Sequence, residues 1–187
     1  MKPATVRVLT WPEAEPVTLS EAKLQLGVTE SFTEFDSLIT DKIAAGRRYI
    51  ERRLGQTLVA TEYRATWPAG QSKQLLELPN PPLLTGSAYT MTVTVDGDEI
   101  AEEDLEVDED AQPATVALAS GTPAKVVVTY WCGVEPGDPI EPQIKSALLM
   151  FVEHTFKNRG IIAEDGSAEL PQAFESLLAS SSHSGGW

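Results

Sequence analysis

The stretch that decides the fold is residues 16–27, PVTLSEAKLQLG, because it carries the signals for both ends of a helix. Thr18 can accept a hydrogen bond from the backbone N–H of Glu21, while the Glu21 side chain reaches back to residue 18, a pattern called a capping box. Gly27 suits the left-handed conformation in which many helices end. The stretch therefore predicts a short helix between Thr18 and Gly27.

A longer helix is predicted directly after it, in residues 31–55. Ser31 and Glu34 form a second capping-box pattern, and Gly55 is a natural end. Apolar side chains recur between them at helical spacing. With a helix later in the chain, they predict a common core of Phe35, Ile39, Ile43, Ile50, Ile144, Leu148, Phe151 and Val152.

The middle of the chain, residues 59–137, changes to short runs rich in Val, Thr, Tyr and Trp, separated by Pro and Gly. The dipeptide Asp96-Gly97 follows one such run and predicts a tight hairpin turn. The predicted strands are residues 61–67, 74–78, 89–95, 114–118 and 125–131. We expect this region to be a small, mostly antiparallel β module.

Helical spacing returns after the β module. Pro142 is tolerated only in the first turn of a helix, and Gly160 lies past its last turn. A short helix is expected from Pro171 to Leu178. The remaining residues, 180–187, are rich in Ser and Gly and predict a flexible tail.

The predicted fold class is therefore α+β. Residues 1–58 and 138–179 are expected to form a helical bundle, as one discontinuous domain, with the small β module of residues 59–137 inserted and the tail of residues 180–187 outside. Such a bundle has a modest core, and packing between subunits is the usual supplement.

Four arginines fall within seven residues of the long helix, in a chain with 14 basic residues, 28 acidic residues and a net charge of −14. Cations near a helix C-terminus complement its dipole and solvate its outer face. They could instead contact a neighbouring acidic subunit, and direct contact with DNA is the least favoured alternative. These candidate interface residues are Arg47, Arg48, Arg52 and Arg53.

The last predicted helix offers a second candidate interface, formed by Phe174, Leu177 and Leu178. The preceding residues, 161–169, resemble a linker, so the helix is expected to be held loosely until a partner orders it. An exposed apolar stripe on such an arm is typical of a partner-binding element.

Nine carboxylates occupy the stretch of residues 98–110. The stretch lacks the Gly and the final Glu that an EF-hand loop starting at Asp96 would need. A solvated hairpin edge and an acidic surface facing DNA or a basic partner both remain open. The acidic-surface candidates are Glu102, Glu103, Asp104, Asp108, Glu109 and Asp110.

The sequence offers little for catalysis. His154 lies among apolar residues of a helix, His183 lies in the tail, and neither has the spacing of a zinc site or a catalytic triad. Cys132 is the single cysteine, so a disulfide within the chain is excluded. We expect no catalytic residue, no cofactor and no metal; the rival hypothesis is a metal-dependent hydrolase that uses the carboxylates of residues 98–110.

Two further classes of protein are disfavoured. The net charge of −14 repels nucleic-acid phosphates, which argues against a sequence-specific DNA binder. No apolar run approaches the ~20 residues of a membrane-spanning helix, and the first residues lack an export signal. We therefore expect a soluble, intracellular product that does not contact membranes.

An ordered set of motifs resembles phage head-tail connector proteins. The opening PVTLSEAKLQL is similar to that family's PVTLAEAKxHL, and LELPNPPL at residues 76–83 is similar to its IxLPxPPL link. The other similar stretches, in the same order as in the family, are residues 38–58, 126–133, 142–160 and 170–178. The chain departs from the pattern at Cys132, Gly133 and Val134, where the family has Ala-Gly-Tyr.

The resemblance implies a structural virion protein at the head-tail interface, assembled in the host cytoplasm. Subunits of the family form a ring, usually of twelve, under the portal. The ring extends the DNA channel, through which double-stranded DNA passes without specific binding, and docks a head-closure or tail-completion protein. The arginines and the last helix would then face a neighbouring subunit or the portal. The alternative is that the chain is itself a head-closure or tail-completion protein.

Overall fold

The structure is a computed structural model that describes residues 1–70, 73–158 and 171–182. The chain divides into two compact units. The first, here called the sheet unit, contains Met1–Ala14 and Gly55–Asp138. The second, the helical unit, contains Glu15–Leu54 and Pro139–Trp187.

The helical unit has four helices in its described residues. They are α1 (Leu19–Leu26), α2 (Asp36–Leu54), α3 (Pro142–Lys157) and α4 (Gln172–Ser182). Helix α2 packs against α3, which also packs against α4 and α1. Pro142 stands in the first turn of α3, as its missing N–H requires.

Helix α1 has both of the ends that its sequence predicts. The backbone N–H of Glu21 donates to Thr18 Oγ1 at 3.2 Å, and the N–H of Thr18 donates to Glu21 Oε2 at 2.9 Å. Gly27 adopts a φ of +69° and its N–H donates to the carbonyl of Leu24. The predicted short helix is confirmed.

The long helix begins later than its capping-box pattern predicts. Residues 29–35 form turns, in which Phe32 N–H donates to the Thr29 carbonyl and Asp36 N–H donates to the Thr33 carbonyl. Helix α2 then starts at Asp36. The predicted start at Ser31 is therefore wrong, because these local turns use the backbone groups that a helix would need.

The core of the helical unit follows the predicted spacing. Six of the eight predicted side chains are buried, and the two phenylalanines are half-buried and make aromatic contacts. Phe35 meets Phe156 with ring centroids 5.4 Å apart, and Phe151 meets Tyr49 at 5.5 Å. The buried six are Ile39, Ile43, Ile50, Ile144, Leu148 and Val152.

The sheet unit contains two antiparallel sheets. The larger has the strand order β1-β2-β9-β5-β6, with β4 also paired to β9, and the smaller has the order β3-β8-β7. The strands are β1 (Thr5–Thr10), β2 (Thr61–Trp67), β3 (Lys73–Glu77), β4 (Leu83–Leu84), β5 (Thr92–Val95), β6 (Asp98–Glu99), β7 (Leu105–Asp108), β8 (Thr115–Thr122) and β9 (Val126–Cys132).

Alternation along β2 and β9 builds the core of this unit. Val126, Val128, Tyr130 and Cys132 point inward, and each is almost fully buried. The hydroxyl of Tyr130 donates to the Pro79 carbonyl at 3.0 Å, which satisfies a polar group that would otherwise be costly to bury. The predicted Asp96-Gly97 turn is confirmed, since Val95 pairs with Asp98 across it.

The predicted helical bundle with a small inserted β module is wrong. The strands form two sheets with a core of their own, so the sheet unit is not a minor insertion. The first residues of the chain also belong to it, as strand β1, and not to the helices. The sequence does not mark β1 clearly, because its alternation of polar and apolar residues is confined to residues 5–8 and only Val8 is even half-buried.

Candidate functional site

Arg47, one of the predicted interface residues, is engaged inside the helical unit and is only 4% exposed. Its Nε donates to Glu15 Oε2 at 2.7 Å and its Nη2 to Glu15 Oε1 at 3.2 Å, which makes a bidentate pair. Its Nη1 donates to Glu51 Oε2 at 2.9 Å. Burial by itself lowers the pKa of Arg47, but the hydrogen bond to Glu15 and the two carboxylate charges outweigh burial and raise it. Arg47 therefore holds the start of this unit to α2.

The other three arginines of α2 reach the surface. Arg48, Arg52 and Arg53 are exposed. The Nε of Arg52 donates to the Arg48 carbonyl at 3.3 Å, and Arg53 pairs with Glu175 of α4, which raises the pKa of Arg53. The predicted stripe thus separates into one buried structural residue and three exposed cations, and the exposed cations remain the interface candidates.

The apolar stripe of α4 is turned toward the helical unit. Phe174 is fully buried and Leu178 is 4% exposed, while Leu177 is half-buried. The Phe174 ring lies 5.8 Å from that of Tyr49 and 6.4 Å from that of Phe151, centroid to centroid. The expectation of an exposed stripe is therefore wrong for Phe174 and Leu178, because α2 and α3 supply the partner that cannot be read from α4 alone. The predicted flexible tail is wrong for residues 180–182, which continue α4 and include the buried Ser181. The predicted linker, residues 161–169, and residues 183–187 of the predicted tail lie outside the described residues.

The acid-rich stretch forms an edge of the smaller sheet. β7 lies at the end of its strand order, with Leu105 and Val107 packed against the core and Glu106 and Asp108 exposed. We call Glu106, Asp108, Glu109 and Asp110 the acidic edge; all four are exposed. Carboxylates on an edge strand discourage unwanted strand pairing.

Two carboxylates of the acidic edge accept hydrogen bonds from nearby residues. Asp108 Oδ1 accepts the backbone N–H of Ala111 at 3.1 Å, and Glu109 Oε2 accepts the hydroxyl of Thr85 at 3.2 Å. Of the other predicted acids, Glu103 and Asp104 are exposed in a single 3-10 turn that also contains Glu102. In the described part of the chain, no group of three His, Cys, Asp or Glu side chains could hold a metal ion.

A basic face, which sequence analysis missed, lies on the outer side of the larger sheet. Arg7 of β1 stands directly opposite Arg64 of β2 in the strand register, and both are exposed. Arg64 and Lys125 line a shallow groove of about 400 Å³. We call Arg7, Arg64 and Lys125 the basic face. The signal available in the sequence was the recurrence of polar residues at every second position, Thr5 and Arg7 in one strand and Arg64 and Thr66 in the other. Only the pairing of β1 with β2 brings these residues together on one face.

Hydroxyl groups surround the basic face. The same groove is lined by Thr66, Thr92, Thr94 and Thr129, which alternate along their strands with buried residues such as Ala65, Val93 and Val128. Acids also lie on this side of the sheet: Glu62, whose Oε2 accepts the hydroxyl of Thr10 at 2.5 Å, and Glu99, the register partner of Thr94. The surface can therefore offer cations and hydrogen-bond donors to carboxylates or phosphates.

Cys132 and His154, two of the residues considered for catalysis, lie in β9 and α3. Cys132 is buried, and burial raises the pKa of its thiol, which keeps it from the reactive thiolate form. His154 lies on α3, with its Nδ1 3.4 Å from Asn158 Nδ2. His183 lies outside the described residues.

Among the described helices, none combines the length and apolar character needed to cross a membrane.

Residues 16–79 match the family of phage gp6-like head-tail connector proteins. The resemblance to head-tail connectors is confirmed. The head-tail connector segment, residues 16–79, includes α1, α2 and the first strands that follow them. It therefore contains the Thr18 capping box and all four arginines of α2. No curated protein matches the chain.

Chains of solved gene transfer agent particles share the fold. A chain in the neck of an empty particle, computed with C6 symmetry, has a TM-score of 0.75 at 17% identity and covers 94% of each chain. A chain in the virion of a native particle has a TM-score of 0.71 at 16% identity, covering 94% of this chain and 93% of that one. A chain in the neck of a native particle, computed with C12 symmetry, has a TM-score of 0.70 at 17% identity with the same coverage. At these identities the likeness establishes the fold, including the strands of the sheet unit that lie outside the connector segment.

Proposed function

We propose that this chain is a structural, non-enzymatic head-tail connector subunit. The observation that carries the proposal is the agreement between two findings: the connector match at residues 16–79 and the fold shared with neck chains along 94% of the sequence. The family is one of structural virion proteins. The buried thiol and the position of His154 fit this role, since neither is placed for nucleophilic or acid-base chemistry.

The subunit would act as one member of a ring, with twelve copies as the expected number. The neck chains with the same fold come from particles computed with C6 and C12 symmetry, which supports a cyclic assembly. Twelve copies at −14 each place a large negative charge in one ring. Surfaces that line a channel with that sign let double-stranded DNA pass without holding it.

The ring would sit at the head-tail interface of a virion, under the portal, and dock a head-closure or tail-completion protein. Arg48, Arg52 and Arg53 offer a compact cationic surface at the end of α2 for an acidic partner. Complementary charge of this kind sets the register between partners and raises the rate of their encounter. Assembly of the particle would take place in the host cytoplasm.

The decisive experiment measures the mass of the purified chain in solution, alone and mixed with the portal protein of the same particle. Native mass spectrometry should detect a ring in the mixture, with an integral number of subunits per portal. A chain that stays monomeric at all concentrations, with and without portal, would contradict the proposed function.

The cationic surface is tested by Arg48→Glu combined with Arg52→Glu. Ring formation or portal binding should be lost while the unfolding midpoint stays near that of the wild type, since both side chains are exposed. The matched control, Lys42→Glu with Lys157→Glu, makes the same change of net charge elsewhere in the helical unit. Normal assembly of the arginine variant would exclude this surface.

A further inference from the structure

Two positive charges of the basic face, those of Arg7 and Arg64, lie side by side in the folded subunit and repel each other. Arg7 and Arg64 are register partners on neighbouring antiparallel strands. Directly opposite side chains of this kind have Cβ atoms about 5 Å apart, and like charges there destabilise the strand pair. Two arginines in this position are therefore better explained by an acidic partner than by the stability of the subunit.

The chain itself supplies a surface of the opposite sign. The acidic edge lies on β7 and the residues directly after it, on the smaller sheet, whereas the basic face lies on the outer side of the larger sheet. The two surfaces are therefore different patches of the same sheet unit. Contact between the basic face of one copy and the acidic edge of the next is a heterologous contact, the type that generates rings.

Net charge favours this arrangement over a symmetric one. Copies that each carry −14 repel one another as they approach. A contact that joined two acidic edges would add to that repulsion. A contact that joins the acidic edge to the cations of the basic face offsets it locally and also excludes the wrong orientation.

We propose that the basic face, Arg7, Arg64 and Lys125, receives the acidic edge of a neighbouring copy and forms the head-to-tail contact of the ring. The inference rests on the proposed function, because it assigns the subunit contact of that ring. The threonines of the groove add hydroxyl donors to the arginine and lysine cations. The carboxylates of Glu106 and Asp110 are exposed and project from an edge of the unit, where a second copy can reach them.

The test uses two complementary variants of the full chain. Variant A carries Arg7→Glu and Arg64→Glu, which reverses the basic face and keeps a like-charge pair across the strands. Variant B carries Glu106→Lys, Glu109→Lys and Asp110→Lys, which leaves three lysines beside Asp108 and so makes the acidic edge net positive. Each alone should fail to form the ring under conditions where the wild type forms it, because its two surfaces then have the same sign.

An equimolar mixture of A and B should recover the ring, since the reversed face of A meets the reversed edge of B and the wild-type surfaces also pair. Native mass spectrometry would detect alternating subunits, and a misfolded variant would not be recovered by mixing. The matched control, Glu13→Lys with Glu135→Lys and Asp138→Lys, makes the same charge change as B at exposed positions of the same unit. It should assemble like the wild type.

The outcomes separate this inference from the proposed function. A wild-type ring together with normal assembly of A or of B would overturn the inference and leave the connector role standing. Normal assembly of A with weaker retention of double-stranded DNA would assign the basic face to nucleic-acid phosphates and would also overturn it. A wild-type chain that forms no ring, alone or with portal, would overturn both.

Discussion

Gly46 of α2 lies so close to Leu148 of α3 that the two helices leave no room for a β-carbon between them. A Cβ built on Gly46 would stand 2.6 Å from Leu148 Cδ1 and 2.8 Å from Phe151 Cδ1. Leu148 is fully buried, so it has little freedom to move aside. The glycine is therefore required by the close approach of α2 to α3, although glycine is a poor helix former.

Gly46→Ala should destabilise the protein for this reason. Overpacking a core costs ~1 to 3 kcal/mol, and the gain in helix propensity of about 1 kcal/mol offsets only part of that cost. The control is Ala45→Gly, at an exposed neighbouring position, which measures propensity on the same helix. Urea unfolding gives both values, and a more stable Gly46→Ala would contradict the close helix contact.

Gly133→Ala should be more damaging, because both space and backbone conformation oppose it. Gly133 follows β9 with a φ of +112°, and a Cβ there would lie 2.4 Å from the carbonyl oxygen of Val59. We expect a loss of at least about 3 kcal/mol in the free energy of unfolding. Gly137→Ala is the control, since its φ is +100° with nothing within 4 Å of the added atom. Equal losses in the two variants would show that the contact with Val59 is unimportant.

Arg47→Ala should destabilise the helical unit much more than removal of an exposed arginine. It would leave the carboxylates of Glu15 and Glu51 facing each other without their shared cation. Breaking a buried pair costs ~3 to 5 kcal/mol, and partial exposure of Glu15 reduces the expected loss to about 2 to 3 kcal/mol. Arg52→Ala should change stability by less than about 0.5 kcal/mol. Thermal unfolding of the two variants makes the comparison, and similar losses would refute the structural role of Arg47.

The Glu21 carboxylate should contribute to stability in a pH-dependent way. Its hydrogen bond with Lys145, followed by that with the Thr18 N–H, lowers its pKa from the ordinary value of 4.5. The folded state thus binds the proton less tightly than the unfolded state, so the contribution is present above pH 4.5 and is lost as the pH falls through the folded pKa. Glu21→Gln should reduce the loss of folding stability at low pH, while glutamine remains a competent capping residue. Glu34→Gln is the exposed control. Unfolding measured at several pH values makes the comparison, and an unchanged loss of stability at low pH in Glu21→Gln would contradict the prediction.

Phe174→Ala should release α4 from the helical unit. Phe174 is fully buried against Tyr49 and Phe151, and loss of a buried phenylalanine costs ~3 to 5 kcal/mol. Hydrogen exchange should detect slow amides in residues 174–182 of the wild type and fast ones in the variant, with α2 and α3 still protected. Gln172→Ala, at an exposed position, should leave the exchange unchanged. Fast exchange of α4 in the wild-type chain would show that its docking is weak.

The sequence predicts correctly those elements whose determining contacts are local. Helix α1 has its start signal at Thr18 and its end signal at Gly27, nine residues apart in the sequence, and the hydrogen bonds of both ends lie within that span. The same holds for the Asp96-Gly97 turn, which depends on two adjacent residues with positive φ. The spacing of Ile39, Ile43 and Ile50 likewise predicted a buried face, because helical geometry alone puts them on one side.

The sequence does not predict contacts whose partner is distant along the chain. Nothing near Arg47 in the sequence reveals that Glu15, 32 residues away, forms a bidentate pair with it. Nor does the sequence of α4 reveal that its apolar side chains are covered, since the rings that contact Phe174 belong to α2 and α3.

By itself, the sequence determined both ends of α1, the tight turn, the apolar helix faces and the resemblance to head-tail connectors, all of which depend on residues close together or on their order along the chain. Only the tertiary structure decided that β1 joins β2 across more than fifty residues, and that Arg7 thereby stands opposite Arg64. An edge strand exposed on both faces has no row of buried apolar residues to distinguish it from a loop. Its pairing depends on backbone hydrogen bonds, which every residue except proline can make, so side-chain pattern cannot identify the partner.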